Sequence, residues 1–328
     1  NMISADYDED GDLDILILRG AWLRKFGTHP NSLLQNQGDG TFIDVTFDSE
    51  LAMFRRPTGT GAWGDFDRDG DLDLYIGNEQ HPSELQRNEG DGRFTDIAGE
   101  AGVENGLFTK AVGFGDVNED GWLDLYASNL DGPNCLYINS GKGTFNNQAA
   151  AAGVERPLKS FPAWFFDFNN DGHLDLYAAS YTATTYHVAA DYLGLPHDDE
   201  PDRIYQGDGR GQFRDMTSEL GFTRVTQPMG SNFGDFDHDG YLDIYLGTGD
   251  PLYENLMPNL VFRNVEGQRF ADVTVASRMG HLQKGHGVSF ADLDNDGDED
   301  LFIEMGGAFP GDAASSALFE NPGFGTHQ

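Results

Sequence analysis

Short stretches of alternating polarity recur along the whole chain. Leu72-Asp73-Leu74-Tyr75-Ile76-Gly77 and Leu242-Asp243-Ile244-Tyr245-Leu246-Gly247 alternate with period two and end at glycine, the pattern of short β-strands. A polar run precedes each, and before that run stands a second short strand such as Gly61–Gly64 or Ser231–Gly234. A further pattern follows each pair: Leu34 to Thr46 carries Asn36, Gly38, Gly40, Phe42 and Asp44. It returns at 85–97, 136–148, 204–217 and 261–274. Two strands around a glycine-rich turn make a hairpin. Each unit therefore has four strands, a to d, and the period of 51 to 68 residues is that of a propeller blade rather than a solenoid turn. The expected fold is an all-β β-propeller of four-stranded blades. Six blades are visible, at about 1–57, 58–109, 110–160, 161–228, 229–284 and 285–328.

The polar run between strands a and b changes the picture from fold to chemistry. It reads D-x-[DN]-x-D-G-x-x-D six times, beginning at Asp6, Asp65, Asp116, Asp167, Asp235 and Asp292. Positions 1, 3, 5 and 9 offer side-chain oxygens, glycine at position 6 permits a sharp turn, and position 7 can add its carbonyl. The sets are Asp6, Asp8, Asp10, Asp12 and Asp14; Asp65, Asp67, Asp69, Asp71 and Asp73; and Asp116, Asn118, Asp120, Trp122 and Asp124. They continue with Asp167, Asn169, Asp171, His173 and Asp175; Asp235, Asp237, Asp239, Tyr241 and Asp243; and Asp292, Asp294, Asp296, Asp298 and Asp300. Hard oxygens in this number suit Ca²⁺ better than Mg²⁺, so about six Ca²⁺ are expected. An EF-hand would place a bidentate Glu at position 12, where this chain has Ile17, Ile76, Ala127, Ala178, Leu246 and Ile303. A merely solvated acidic turn would explain one copy, not six with a fixed glycine.

Composition narrows the setting. The formal charge is −36, which argues against nucleic acid or an anionic membrane as partner, and six bound Ca²⁺ would reduce it to −24. No apolar run is long enough to span a bilayer. Cys135 stands alone in a strand pattern and reads as a small buried hydrophobe. Loops without the Glu clamp are expected to bind at roughly 10⁻⁴–10⁻³ M, the range of extracellular modules, so an exported location is expected: extracellular, cell-surface or periplasmic.

The repeats resemble the FG-GAP/VCBS family, the calcium-loop blades shared with integrin α-subunits. A narrower likeness runs through Leu256–Asn264, Gly280–Gly287, Asp292–Asp300, Gly306–Asp312 and Leu318–Gly323. That series is similar to the ASPIC/UnbV, cartilage acidic protein-like group. The resemblance implies an exported calcium-binding propeller, often with seven blades, and a further UnbV-type domain after residue 328. It implies no known catalytic activity.

Strand alternation places the a–b loops and c–d turns on one face and the b–c and d–a connections on the other. The long connections 20–31, 180–202, 250–258 and 304–315 share that second face, with a short helix expected at 186–195. Trp22, Tyr181, Tyr186, Tyr192 and Tyr253 lie there and serve either to stack on sugar rings or to pin their own loops. His187 and His197 with Asp191, Asp198 and Asp199 offer a transition-metal set or a solvated acidic loop. Lys110, Lys159, Arg224, His281, Lys284 and His286 mark a candidate ligand face. The function expected is a binding, adhesion or assembly module for a protein or glycan; the alternative is an enzyme acting on an anionic substrate at this basic, histidine-bearing mouth.

Overall fold

The computed structural model describes residues 1–23, 26–51, 55–250, 257–306 and 314–321. Tyr253, Leu256, residues 307–312 and residues 322–323 therefore lie outside the described residues. The fold is all-β, with six antiparallel propeller blades in which consecutive strands are neighbours. Blade 1 is Met2–Ala5, Asp14–Ile17, Ser32–Asn36 and Phe42–Asp44; blade 2 is Thr58–Gly64, Asp73–Asn78, Glu84–Asn88 and Phe94–Asp96. Blade 3 is Thr109–Gly115, Asp124–Asn129, Cys135–Asn139 and Phe145–Asn147; blade 4 is Ser160–Phe166, Asp175–Ser180, Arg203–Gly207 and Phe213–Asp215. Blade 5 is Pro228–Gly234, Asp243–Thr248, Leu260–Val265 and Arg269–Asp272, and blade 6 is Gly285–Ala291, Asp300–Met305 and Ala317–Phe319. By compactness, residues 1–165 with 207–213 form one unit and 166–206 with 214–328 the other.

In the first unit, the periodic strand-d phenylalanine fills the space between blades. Phe94 packs on Tyr7 at 5.9 Å and on Trp63 at 6.0 Å, and Phe145 on Phe66 at 5.8 Å. In the second unit Phe270 meets Phe168 at 6.2 Å. Burying such a ring is worth about 2–3 kcal/mol. The tyrosine at the centre of strand b is buried as well, and its hydroxyl would be costly to leave unpaired. Tyr75 Oη donates to Val103 O at 2.9 Å and Tyr126 Oη to Val154 O at 3.0 Å. Both acceptors follow a one-turn helix, Ala98–Ala101 or Ala149–Ala152, closed by Gly102 or Gly153 with φ near +78°.

A second tie links one blade to the preceding one. The asparagine at or beside the end of strand c donates from Nδ2 to the carbonyl at position 2 of the preceding acidic loop. Asn88 reaches Tyr7 O at 3.0 Å and Asn139 reaches Phe66 O at 2.9 Å in one unit. Asn264 reaches Phe168 O at 2.7 Å and Asn321 reaches Phe236 O at 3.0 Å in the other. Gly207 stands at this place in blade 4, and there Gly211 N–H donates to Val117 O at 3.0 Å instead. In blade 1 the amide of Asn36 binds Leu13 O of its own blade.

The helix expected at 186–195 forms over Thr185–Tyr192. It ends earlier because Gly194 takes a φ of +64°. Cys135 is buried and free, as its strand position requires.

Candidate metal centres

Six acidic loops share one backbone solution. Position 6 glycine adopts φ between +85° and +105°, and its N–H donates to Oδ2 of the position 1 aspartate at 2.7–3.2 Å. At Gly70 or Gly172 an added Cβ would meet nothing, so dihedral strain rather than space demands glycine there. The position 7 N–H donates to Oδ1 of position 5 at 2.9–3.0 Å in every loop. Position 4 is left-handed too, with φ of +55° to +62° at Glu9, Arg68, Glu119, Asn170, His238 and Asn295. Sequence reasoning missed this constraint, since the residue types there are mixed and only Asn170, His238 and Asn295 are of kinds that favour the conformation.

This turn gathers carboxylates. Ligand atoms of Asp6, Asp8 and Asp10 lie within 4.8 Å of one another, as do those of Asp65, Asp67 and Asp73, of Asp235, Asp237 and Asp239, and of Asp292, Asp294 and Asp296. Several of these oxygens are buried without any hydrogen-bond partner: Oδ1 of Asp6, Asp8, Asp65, Asp67 and Asp237. Buried acceptors normally find donors, so a set of orphans aimed together fits a cation. In blades 3 and 4 the cluster contains an amide: Asn118 Nδ2 donates to Asp120 Oδ2 at 3.1 Å, and Asn169 Nδ2 to Asp171 Oδ2 at 2.8 Å.

Position 9 does additional work. Asp14, Asp73, Asp124, Asp175, Asp243 and Asp300 are all buried. Asp73 accepts the Phe66 N–H at 3.2 Å and the Asn88 N–H at 2.9 Å; Asp124 likewise accepts Val117 N–H and Asn139 N–H. The carboxylate thus pins the loop to strand c. Burial pushes the Asp73 and Asp243 carboxyls up to about 8 and that of Asp124 to about 7, with neighbouring loop aspartates adding to the rise. A divalent cation beside them would oppose that shift.

Other side chains reach these loops. Gln206 Nε2 donates to Asp171 Oδ2 at 3.1 Å, and Arg263 pairs with Asp237 at 2.5 Å and Asp239 at 3.4 Å. Gln35 Nε2 donates to Asp8 Oδ2. All three precede the strand-c asparagine or its replacement by one residue, a recurrence that was visible in the repeats. Consecutive loops also touch each other through position 4. Within the first unit Arg68 lies over the Trp122 ring, 5.2 Å from its centroid. Within the second, Asn170 Nδ2 donates to Gly240 O at 2.8 Å and His238 Nε2 meets Asp298 Oδ1 at 2.9 Å.

The residues of the expected ligand face are not equivalent. Lys110 is buried: its Nζ pairs with Glu79 and sits 3.6 Å from the Trp22 centroid and 4.4 Å from that of Phe108. Trp22 thereby pins its own loop. Arg224 pairs with Asp191 at 3.2 Å and covers the Tyr192 ring. Lys159 is exposed and Lys284 buried. His286 Nε2 contacts Gly306 O at 2.9 Å, while the His281 ring packs on Phe319 at 5.2 Å. His187 accepts the Thr184 N–H at the helix start through Nδ1 and meets Asp198 at 3.2 Å, whereas Asp191 is turned to Arg224. Among the described residues, the convergent acidic groups are those of the a–b loops.

The FG-GAP-like repeat model matches residues 6–76, 65–127, 116–178 and 189–246, which take in the five acidic loops beginning at Asp6, Asp65, Asp116, Asp167 and Asp235. The chain belongs to the FG-GAP repeat family. It is similar to cartilage acidic protein 1 of Mus musculus, 27% identical over 242 residues, and to that of Homo sapiens, 28% identical over 242 residues. Each alignment covers 71% of this chain but only 34% or 33% of the relative, so the chain spans about one third of their length. Among solved structures it is similar to an Agrocybe aegerita lectin described as recognising non-reducing terminal N-acetylglucosamine. The TM-score is 0.53 at 16% identity, covering 98% of this chain and 80% of the lectin, a likeness of fold alone. No described helix is long and apolar enough to cross a membrane.

Proposed function

We propose that this FG-GAP propeller is an exported calcium-binding protein that acts as a binding, adhesion or assembly module, with a protein or glycan ligand on the face of the b–c and d–a connections. The observation that carries the calcium reading is the set of buried, unpartnered oxygens on Asp6, Asp8, Asp65, Asp67 and Asp237. Positions 1, 3, 5 and 9 of each loop would hold the ion. Ca²⁺ would supply the positive charge that cancels carboxylate repulsion across the a–b turn. Binding rather than chemistry is the better reading of the loop face: Lys110 and Arg224 are already matched by Glu79 and Asp191. Thermal melts with CaCl₂, then with EDTA, test the calcium reading. Chelation should lower the melting temperature sharply and added calcium should restore it. An unchanged curve would overturn the proposal.

A further inference from the structure

Blade 4 carries a feature that blades 2 and 3 lack. Its b–c connection runs from 181 to 202, where theirs need only 79–83 and 130–134. The helix Thr185–Tyr192 in this arm is held from beneath by Val188 with Ala183, Val225 and Met257, and from the side by Asp191 on Arg224. Its other side is the unexpected one. Tyr186 is 66% exposed, Leu193 is 72% exposed, and Ala189 between them is exposed as well. The spacing i, i+3, i+7 puts these three on one helical face, where a surface helix ordinarily turns polar residues to water. Tyr192 and Leu195, each about half exposed, widen the stripe. From Thr185 to Asp202 the arm has no Lys or Arg. Of its acidic residues Asp198 has a side chain almost wholly exposed, while Asp191 is turned to Arg224, Glu200 lies against Arg203, and the Asp199 and Asp202 side chains are buried.

We infer that this stripe is a docking surface for a cationic amphipathic segment of another protein. Apolar anchors of such a segment would cover Tyr186, Ala189 and Leu193, and its basic residues would face Asp198 and the surplus negative charge of the chain. The inference rests on the binding-module reading and names the partner chemistry for one part of that loop face.

The test is a titration in saturating calcium with a synthetic helical Leu/Lys peptide, alongside a Gly/Lys peptide of equal charge and a Leu/Glu peptide. The Leu/Lys peptide should bind best, and Tyr186→Ser with Leu193→Ser should weaken it about tenfold or more without altering the protein's charge. The Gly/Lys peptide should bind weakly and equally to both forms. If the double variant melts differently, Ala189→Lys is used instead; it sets a like charge in the stripe and should also abolish binding. Equal Leu/Lys affinity for parent and variant, Gly/Lys or Leu/Glu binding as tight as Leu/Lys, or no Leu/Lys binding would each overturn the inference. So would a calcium-loaded homodimer lost in the double variant, since a second copy would then be the occupant. The EDTA melt decides the calcium reading separately, so a chain stabilised by calcium that treats the peptides alike loses only the docking surface.

Discussion

At the scale of single residues, Asp202 shows how burial turns one carboxyl into a pH-dependent contribution. It accepts hydrogen bonds from Ser180 N–H at 2.8 Å, Thr226 Oγ1 at 2.7 Å and Tyr177 Oη at 2.7 Å. In blades 2 and 3 the equivalent tyrosine binds a backbone carbonyl; in blade 4 Phe222 packs on the Tyr177 ring and the hydroxyl turns to Asp202. Burial pushes the Asp202 carboxyl up from 3.8 to about 6 despite these three donors. A raised carboxyl favours the folded state below its unfolded value and loses that contribution as pH rises through about 6. Asp202→Asn keeps the acceptor facing Ser180 and Thr226 and removes the ionisation. Its stability relative to the parent should therefore improve by about 1 kcal/mol between about pH 5 and about pH 8, measured by urea unfolding in constant excess calcium. A difference that stays flat across this range would show that Asp202 is not the titrating group.

At the scale of elements, the acidic loops are built to influence one another. The position 4 side chain lands on position 7 of the following loop in two cases, Arg68 on Trp122 and His238 on Asp298, and on the position 6 carbonyl in a third, Asn170 on Gly240. An ion that fixes one turn thereby restricts its neighbour. Two effects should be separable in a calcium titration. Asn118 and Asn169 each remove one negative charge, so blades 3 and 4 should release calcium first. Arg68→Ala should reduce the steepness of the titration while leaving the ligand count unchanged, because it breaks a contact between loops and not a ligand. Identical release from all sites, or a steepness insensitive to Arg68, would show that the loops act independently.

At the scale of the whole molecule, the first and last blades in the sequence expose apolar side chains at positions that blades 2 and 3 bury. The strand-d phenylalanine is 3% exposed at Phe94 and 5% at Phe145, yet 42% exposed at Phe42 in blade 1. Ile43 beside it is exposed, and in blade 6 Phe302 and Leu318 are exposed as well. The side chains of blades 2 and 3 that correspond to Phe42, Phe302 and Leu318 are buried, and exposed apolar side chains on short strands favour association with another surface. Residues 1–328 expressed alone should therefore associate in a concentration-dependent way, and Phe42→Ser with Phe302→Ser should lessen that association. A parent chain that remains monomeric and protease-resistant at every concentration, by light scattering and limited digestion, would refute this.

Repeat count, strand pattern, the acidic loops and the interblade phenylalanines were all legible in the sequence, because each is a local regularity written several times. Six copies of one nine-residue motif leave little freedom: spacing sets which oxygens share a turn, and alternation sets which residues face the core. What tertiary structure decided concerns partners far apart in the chain. Lys110 and Lys159 read alike as basic residues on connections, but folding brings Glu79 and Trp22 onto Lys110 and leaves Lys159 exposed. The position 9 aspartates read as ligands, yet only the packed blade shows that they also hold strand c. Asn88 meeting Tyr7 O lies beyond any local pattern, since the distance that matters there is across blades and not along the sequence. The same is true of the blade 4 helix. Its residues could place the apolar stripe inward or outward, and Val188 packing against Val225 and Met257 decided that Tyr186 and Leu193 would face the solvent.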